Sequence, residues 1–361
     1  MNIIILLLGA FIVSFLITNF MVPNILLASL KKRLIDVPNK RKVHTVTSSR
    51  LGGISFYPSI IVSLCLMVIF GMWLDASVIN TQVTIQFMLT ACAVFVMYIV
   101  GLFDDIIGVR YSVKFVLQAL ASLFVLSSGV WVNNLHGFCG ITEVSIWIGV
   151  PLSLMLLVFI MNAINLIDGI DGLASGLSMI ALLVFAIYFL YWGEIFQSMV
   201  AIASFSSLLA FFRYNVRGFH HKQLKIFMGD TGSLVIGLIL GVCAIKMVQH
   251  EGTSGFETFP LLVAYSVLIV PSFDVIRVMI SRKMSGKSMF LPDKRHIHHK
   301  FLALGFSARR SMCTILLISI IFIVMNVLLY YILCLEIIVL IDIIICVVLN
   351  VFVSRKINKK L

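Results

Sequence analysis

Charge is scarce in this sequence. Asp, Glu, Lys and Arg together supply 12% of the residues against 61% hydrophobic ones, and the mean hydropathy is +1.12. That balance excludes an ordinary soluble domain, which presents far more polar surface to water. Acidic residues are fewest of all, 15 against 27 basic ones. Each carboxylate therefore asks for a reason, since one placed in lipid costs ~3 kcal/mol. The seven cysteines contain no C-x-x-C spacing and lie mostly inside apolar runs. They read as small buried hydrophobes and imply neither a disulfide framework nor a zinc site. The first apolar run lacks a basic n-region and an A-x-A site, so it reads as a retained span and not a signal peptide. No internal repeat or low-complexity tract is present.

What the chain does contain is a series of near-continuous apolar stretches. They cover roughly 3 to 22, 54 to 74, 84 to 103, 113 to 132, 146 to 166, 174 to 192, 195 to 212, 231 to 249, 259 to 280, 311 to 333 and 335 to 353. Each is close to the ~20 residues that cross a bilayer, which predicts an all-α, polytopic membrane protein of about eleven helices. The break at 192 to 195 is tight enough to leave ten open, and the first span is expected to end at Pro23. One polytopic domain accounts for residues 1 to 361.

The net charge of +12 is distributed unevenly. Alternate connections carry seven (31 to 50), two (110 to 114), four (213 to 225) and nine (277 to 310) basic residues, with four more at the C-terminus; only Lys246 falls on the other side. By the positive-inside rule these loops, about 23–53, 104–112, 167–173, 213–230 and 281–310, are cytoplasmic. The N-terminus is then outside and the C-terminus inside. The positive excess is an orientation signal first and an anionic-substrate surface second, with no nucleic acid implied.

The carboxylates gather on that same face. Asn162 and Asn165, then Asp168 and Asp171, form two i, i+3 pairs directly after the apolar run Leu152 to Met161, so each pair shares one helix face. Asp168 and Asp171 each precede a glycine, as at a helix end with local water. Adjacent Asp104 and Asp105 repel each other by ~1 to 4 kcal/mol, which a divalent cation or a shared proton relieves. Gly229-Asp230-Thr231-Gly232-Ser233 fits either a helix N-cap through Thr231 or Ser233, or an anion site where Asp230 binds a metal. The first basic loop brings Lys42 and His44, then Gly52-Gly53, where backbone can approach another element or a phosphate. Asp274 and Arg277 need no more than a helix-end ion pair. Arg295-His296-Ile297-His298-His299 lacks the spacing of a zinc helix, and cationic heads around phosphate oxygens suit it better. The loop Asn133 to Ser145 is assigned no chemistry. One membrane face that supplies five carboxylates, asparagines and cations is suited to metal-dependent phosphoryl transfer.

These motifs, in this order, resemble the polyprenyl-phosphate N-acetylhexosamine-1-phosphate transferases, and the resemblance covers nearly the whole chain. It rests on Asp104-Asp105, Asn162-x-x-Asn165-Leu-Ile-Asp168-Gly-Ile-Asp171-Gly-Leu-Ala, Gly229-Asp230-Thr-Gly-Ser233 and His296-Ile-His298-His299. The Lys42-Val-His44 to Gly52-Gly53 spacing and the His-Ile-His-His form look more like the enzymes that start O-antigen, capsule or teichoic-acid linkage units than the muramyl-pentapeptide branch. The resemblance implies that a UDP-N-acetylhexosamine, expected to be UDP-N-acetylglucosamine, gives its sugar 1-phosphate to undecaprenyl phosphate and releases UMP. It implies Mg²⁺, or Mn²⁺, held chiefly by Asp230 with Asp105, and Asp104, Asp105 and Asp168 as catalytic carboxylates. Asp104 is expected to deprotonate or orient the lipid phosphate. Asn165, Asp168 and Asp171 would line the nucleotide side. Lys42, His44, Arg295, His296, His298 and His299 would contact the donor. The setting is a bacterial cytoplasmic membrane with the site on its inner face, and a homodimer is left open. Ser49 departs from the proline that many relatives carry before the double glycine, which unsettles the role of the first loop in sugar choice.

Two other readings compete. CDP-alcohol phosphatidyltransferases also cluster Asp-Gly pairs, but Asp171-Gly172 runs into Leu-Ala-Ser-Gly with no acidic residue before Glu194. A cation-coupled transporter would place its carboxylates near the midplane of related halves, which this chain does not show.

Overall fold

The protein is described from a computed structural model covering residues 2–32, 48–74, 80–218, 225–250, 257–286 and 295–358. Twelve α-helices make up the described chain: α1 (Asn2–Lys31), α2 (Phe56–Trp73), α3 (Thr81–Ile107), α4 (Tyr111–Ser127), α5 (Ile146–Ile167), α6 (Leu173–Tyr191), α7 (Ile195–Arg217), α8 (Gly229–Gln249), α9 (Phe259–Met284), α10 (Ile297–Ala303), α11 (Ala308–Tyr330) and α12 (Leu335–Asn358). Every apolar stretch of the sequence becomes one helix. Ten are long and apolar enough to cross a membrane, α2 together with the 3₁₀ turn Leu51–Ser55 before it, while α4 is apolar but shorter. The tight break resolves into separate α6 and α7, with Gly193 at φ 78° making the reversal.

The helices run further into the basic loops than hydropathy alone predicts. α1 does not stop at Pro23 but continues to Lys31. Pro23 lacks the amide that would bond the Asn19 carbonyl, and the Tyr214 hydroxyl of α7 donates to that carbonyl at 3.4 Å and to Asn19 Oδ1 at 2.9 Å. Likewise α3 carries Asp104 and Asp105 inside its last turn, and the connection to α4 shrinks to residues 108–110.

Helix α8 is the axis, with α2, α3, α5, α6, α7 and α9 around it. Small residues permit the approach. A side chain on Gly101 of α3 would strike the Thr231 backbone, one on Gly53 the Gly232 backbone, and one on Gly237 the Met161 Cα at 2.7 Å. Buried hydroxyls join α1 to α7, with Ser14 Oγ donating to the Ala203 carbonyl at 2.7 Å and Thr18 bonded to Ser207 at 2.8 Å. Such bonds contribute about 0.6 kcal/mol each in a membrane. The outward faces are apolar, as at Phe20, Leu317 and Ile344, because their solvent is lipid. This also corrects the cysteine reading: Cys243 is buried, but Cys65, Cys92 and Cys313 lie on outward helix faces and Cys139 and Cys334 are exposed in connections. In lipid an apolar side chain has no need to be inside.

Four short strands complete the described chain. β1 (Ser48–Ser49) pairs in parallel with β4 (Lys225–Ile226), and β2 (Asn134–Phe138) pairs with β3 (Ile141–Glu143) in an antiparallel hairpin. The first pair extends toward α8 through amides of Gly52 and Gly53, which donate to the carbonyls of Phe227 and Met228 at 3.0 Å each. The hairpin covers the opposite end of α8, where the His136 ring meets the Val248 carbonyl at 2.6 Å, and the following turn reaches α12, where the Cys139 amide donates to Glu336 at 2.8 Å.

Candidate active site

Consecutive residues on a helix point ~100° apart, so Asp104 and Asp105 address different neighbours. Asp104 accepts the Val109 amide at 2.7 Å and the Lys114 ammonium at 3.0 Å. Asp105 turns to α8, accepting the amides of Asp230 and Thr231 at 2.9 Å and the Thr231 hydroxyl at 2.6 Å. The cap of α8 is therefore a carboxylate from α3. Thr231 and Ser233 do not perform it as the sequence suggests: Thr231 donates to Asp105, and Ser233 Oγ lies 3.3 Å from the Asp230 carbonyl. A carboxylate at a helix N-terminus gains ~0.3 to 2 kcal/mol from the dipole.

With Asp105 committed to the helix end, the Asp230 side chain turns to Lys114, which thus bridges Asp104 and Asp230. A single ammonium between two carboxylates marks a place for positive charge. Among the described residues no three His, Cys, Asp or Glu side chains gather into an all-protein cage. Two carboxylates fit Mg²⁺, which keeps waters and takes substrate phosphates as its remaining ligands.

The end of α5 borders this group. Asn162 donates to Gln118 of α4 at 2.7 Å, and Asn165 donates to Ser233 Oγ at 2.8 Å, tying α5 to α8 one turn from Asp230. The helix then stops, and Gly172 at φ 79° starts α6 with its amide on Asn215 at 2.6 Å. Between them, burial first and then the charges of Asp171 and Asp105 push the Asp168 carboxyl up to about 7. Asp171 pairs with Lys225, while its Oδ1 is buried with no hydrogen-bond partner.

The histidines approach from the other side. Asp274 of α9 receives His296 Nδ1 at 2.8 Å, the Ile297 amide at 2.8 Å and Arg277 at 2.7 Å. The His298 ring lies against Gly169, where any side chain would collide with it. Burial, then the neighbouring His299, holds the His298 pKa down to about 3, so the ring is neutral. Lys114, Asn162, Asn165, His296, His298 and His299 line one cavity of about 720 Å³, which continues along apolar Phe115, Val158, Val275 and Met279 between α4, α5 and α9.

Residues 87–248 match the model of glycosyl transferase family 4. A probable undecaprenyl-phosphate N-acetylglucosaminyl 1-phosphate transferase of Bacillus subtilis is 31% identical over 317 residues, covering 87% of this chain and 82% of its own. The chain belongs to glycosyl transferase family 4. A decaprenyl-phosphate N-acetylglucosaminephosphotransferase of Mycolicibacterium smegmatis is 29% identical over 320 residues, with 84% and 77% covered. An undecaprenyl-phosphate alpha-N-acetylglucosaminyl 1-phosphate transferase of Escherichia coli K12 is 27% identical over 291 residues, with 80% and 74% covered.

In this family 4 chain, Asp104, Asp105 and Asp230 meet at one point, and Asp168 feels both Asp105 and Asp171. Asn165, His296, His298 and His299 share the cavity. Arg295 does not line it and braces α9, donating to the hydroxyls of Ser281 and Ser285 at 2.9 and 3.0 Å. Lys42 and His44 lie outside the described residues. Sequence reasoning passed over Lys114, Gln118 and Lys225, and gave Asp274 too small a part. Asp274 is more than half of a helix-end ion pair, since it also fixes the first histidine. The signal was available: a carboxylate inside an apolar span demands partners, and one arginine does not saturate it.

Proposed function

We propose that this family 4 transferase moves N-acetylglucosamine 1-phosphate from UDP-N-acetylglucosamine to undecaprenyl phosphate, releasing UMP. The observation that carries this is the meeting of Asp104 and Asp230 on one cation beside a cavity that is polar at one end and apolar along its length. A lipid phosphate suits such a cavity, with its head at the carboxylates and its chain between α4, α5 and α9. The names of the Bacillus subtilis and Escherichia coli relatives specify the same transfer for those proteins.

Asp104 and Asp230 would hold Mg²⁺ or Mn²⁺, which when bound neutralises phosphate charge as it develops. Asp104 orients the lipid phosphate, one oxygen of which attacks the sugar-bearing phosphorus. The bond from that phosphorus to the bridging oxygen breaks, and UMP leaves. Asn165, Asp168 and Asp171 serve the nucleotide side, while neutral His298 and the oriented His296 hold the diphosphate. Catalysis of this type is positioning and electrostatics. The basic loops support an active face toward the cytoplasm of a bacterial inner membrane, where the product would begin an O-antigen, capsule or teichoic-acid linkage unit.

The test is a panel of UDP-sugars on purified protein with polyprenyl phosphate and Mg²⁺, beside Asp230→Asn. Fast UMP release with UDP-N-acetylglucosamine and a loss of at least ~10²-fold in the variant are expected. Near-normal turnover by Asp230→Asn removes the metal assignment, and ion flux into vesicles without UMP release would favour a transporter.

A further inference from the structure

Helix α9 borders two cavities with different faces. Val275, Val278, Met279 and Arg282 line the large one, whereas Phe273, Asp274 and Arg277 line a second of about 140 Å³ between α9, α11 and α12. The walls of this second space are apolar, including Phe273, Phe322 and Val347, and its polar end holds Arg277, Lys300 and Asn350. Val347 is itself 55% exposed on the outward face of α12. The space is thus bordered by the surface that meets lipid.

Among the described residues the charge at the polar end does not balance. Lys300 donates to Asn350 Oδ1 and, at 2.8 Å, to Ser354 Oγ, both neutral, and no carboxylate pairs with it among the described residues. Asp274, the one carboxylate among the described residues that line the cavity, is taken by Arg277, His296 and the Ile297 amide. Burial, followed by the Arg277 charge and only partly offset by Asp274, brings the Lys300 ammonium down to about 8. Arg355 and Lys356 in the last turn of α12 add positive charge beside Ser354.

We propose that Lys300 and Arg277 form the headgroup site of an anionic phospholipid, whose acyl chain enters the cavity between α9, α11 and α12. Basic pockets between helices at a membrane boundary take anionic headgroups in this way. A zwitterionic lipid gains less, because among the described residues no carboxylate there is free to receive its amine. The polyprenyl substrate is disfavoured by position, since neither Asp104 nor Asp230 lines this cavity. The bound lipid would sit directly behind Asp274 and His296, bracing the histidine segment from its far side.

Native mass spectrometry of the full-length protein, offered phosphatidylglycerol or phosphatidylcholine, tests this. One tightly retained phosphatidylglycerol is expected, held about five-fold more firmly than phosphatidylcholine. Lys300→Gln should abolish that preference and Lys300→Arg should keep it. Cys346→Phe, which fills the cavity without changing charge, should also release the lipid. UMP release by each variant in phosphatidylcholine nanodiscs verifies folding. Equal retention of the two lipids by the wild type overturns the proposal, and so does retention that survives Cys346→Phe. Displacement of phosphatidylglycerol by equimolar polyprenyl monophosphate overturns it as well, by assigning the cavity to the substrate.

Discussion

The Nδ1 atom of His296 lies 2.8 Å from Oδ2 of Asp274, and both side chains are almost fully buried. A carboxylate in that position accepts the Nδ1 proton, fixes the tautomer and leaves Nε2 available to the cavity that His296 lines.

Asp274→Asn presents an amide where the imidazole expects an acceptor, so the ring turns or changes tautomer. The expected result is a kcat lower by ~10²-fold with KM for the UDP-sugar changed little, because the fault lies in orientation and not in ground-state binding. A thermal melt verifies that the variant is folded. Steady-state UMP release within a factor of two of wild type would show that His296 needs no orienting partner.

Removing Lys114 leaves Asp104 and Asp230 facing each other without compensation. Lys114→Gln should lower the melting temperature in EDTA, reflecting a repulsion of ~1 to 4 kcal/mol. Mg²⁺ should restore more stability to the variant than it adds to the wild type, because in the wild type the ion competes with the Lys114 ammonium, whereas in the variant it meets two uncompensated carboxylates. Identical Mg²⁺ responses would place the metal elsewhere.

Gly53 and Gly101 let two segments reach the start of α8. A methyl at either position meets backbone, which cannot rotate away. Gly53→Ala and Gly101→Ala should each cost ~1 to 3 kcal/mol and displace Asp230. Activity should fall further than stability alone explains. Unchanged melting in detergent would contradict the close approach.

Burial, then the neighbouring His299, holds the His298 imidazole down to about 3 in the folded chain, well below the 6.5 of an ordinary histidine. Between those values the unfolded chain binds a proton that the folded chain refuses, so stability is full above pH 6.5 and declines as the pH falls toward 3. His298→Gln, if folded, should show a shallower acid decline in its melting temperature. Parallel curves for the two proteins would mean that His298 is not held neutral.

The helices were legible because hydropathy reports burial in lipid or protein alike, and each expected span became a helix. Their ends were not, because Asp104 and Asp105 look like loop by charge yet find partners in Lys114 and α8, and α1 looks as if it ends at Pro23 although Tyr214 takes up the Asn19 carbonyl that the proline leaves without an amide. The acidic motifs were legible as a group on one face. How Asp104 and Asp105 divide their work was not, since adjacent carboxylates look equivalent until a folded chain sends one to Lys114 and the other to the α8 amides. Asp274 was visible but undervalued, because its histidine lies 22 residues away with no periodicity to connect them.

The bonds from Asp105 to the start of α8 span 126 residues. A ribosome must therefore deliver four helices, α4 to α7, after Asp105 has been made and before its partner even exists. Until then the nascent protein holds no complete acidic centre, and a chain cut short ahead of Asp230 is catalytically silent by construction.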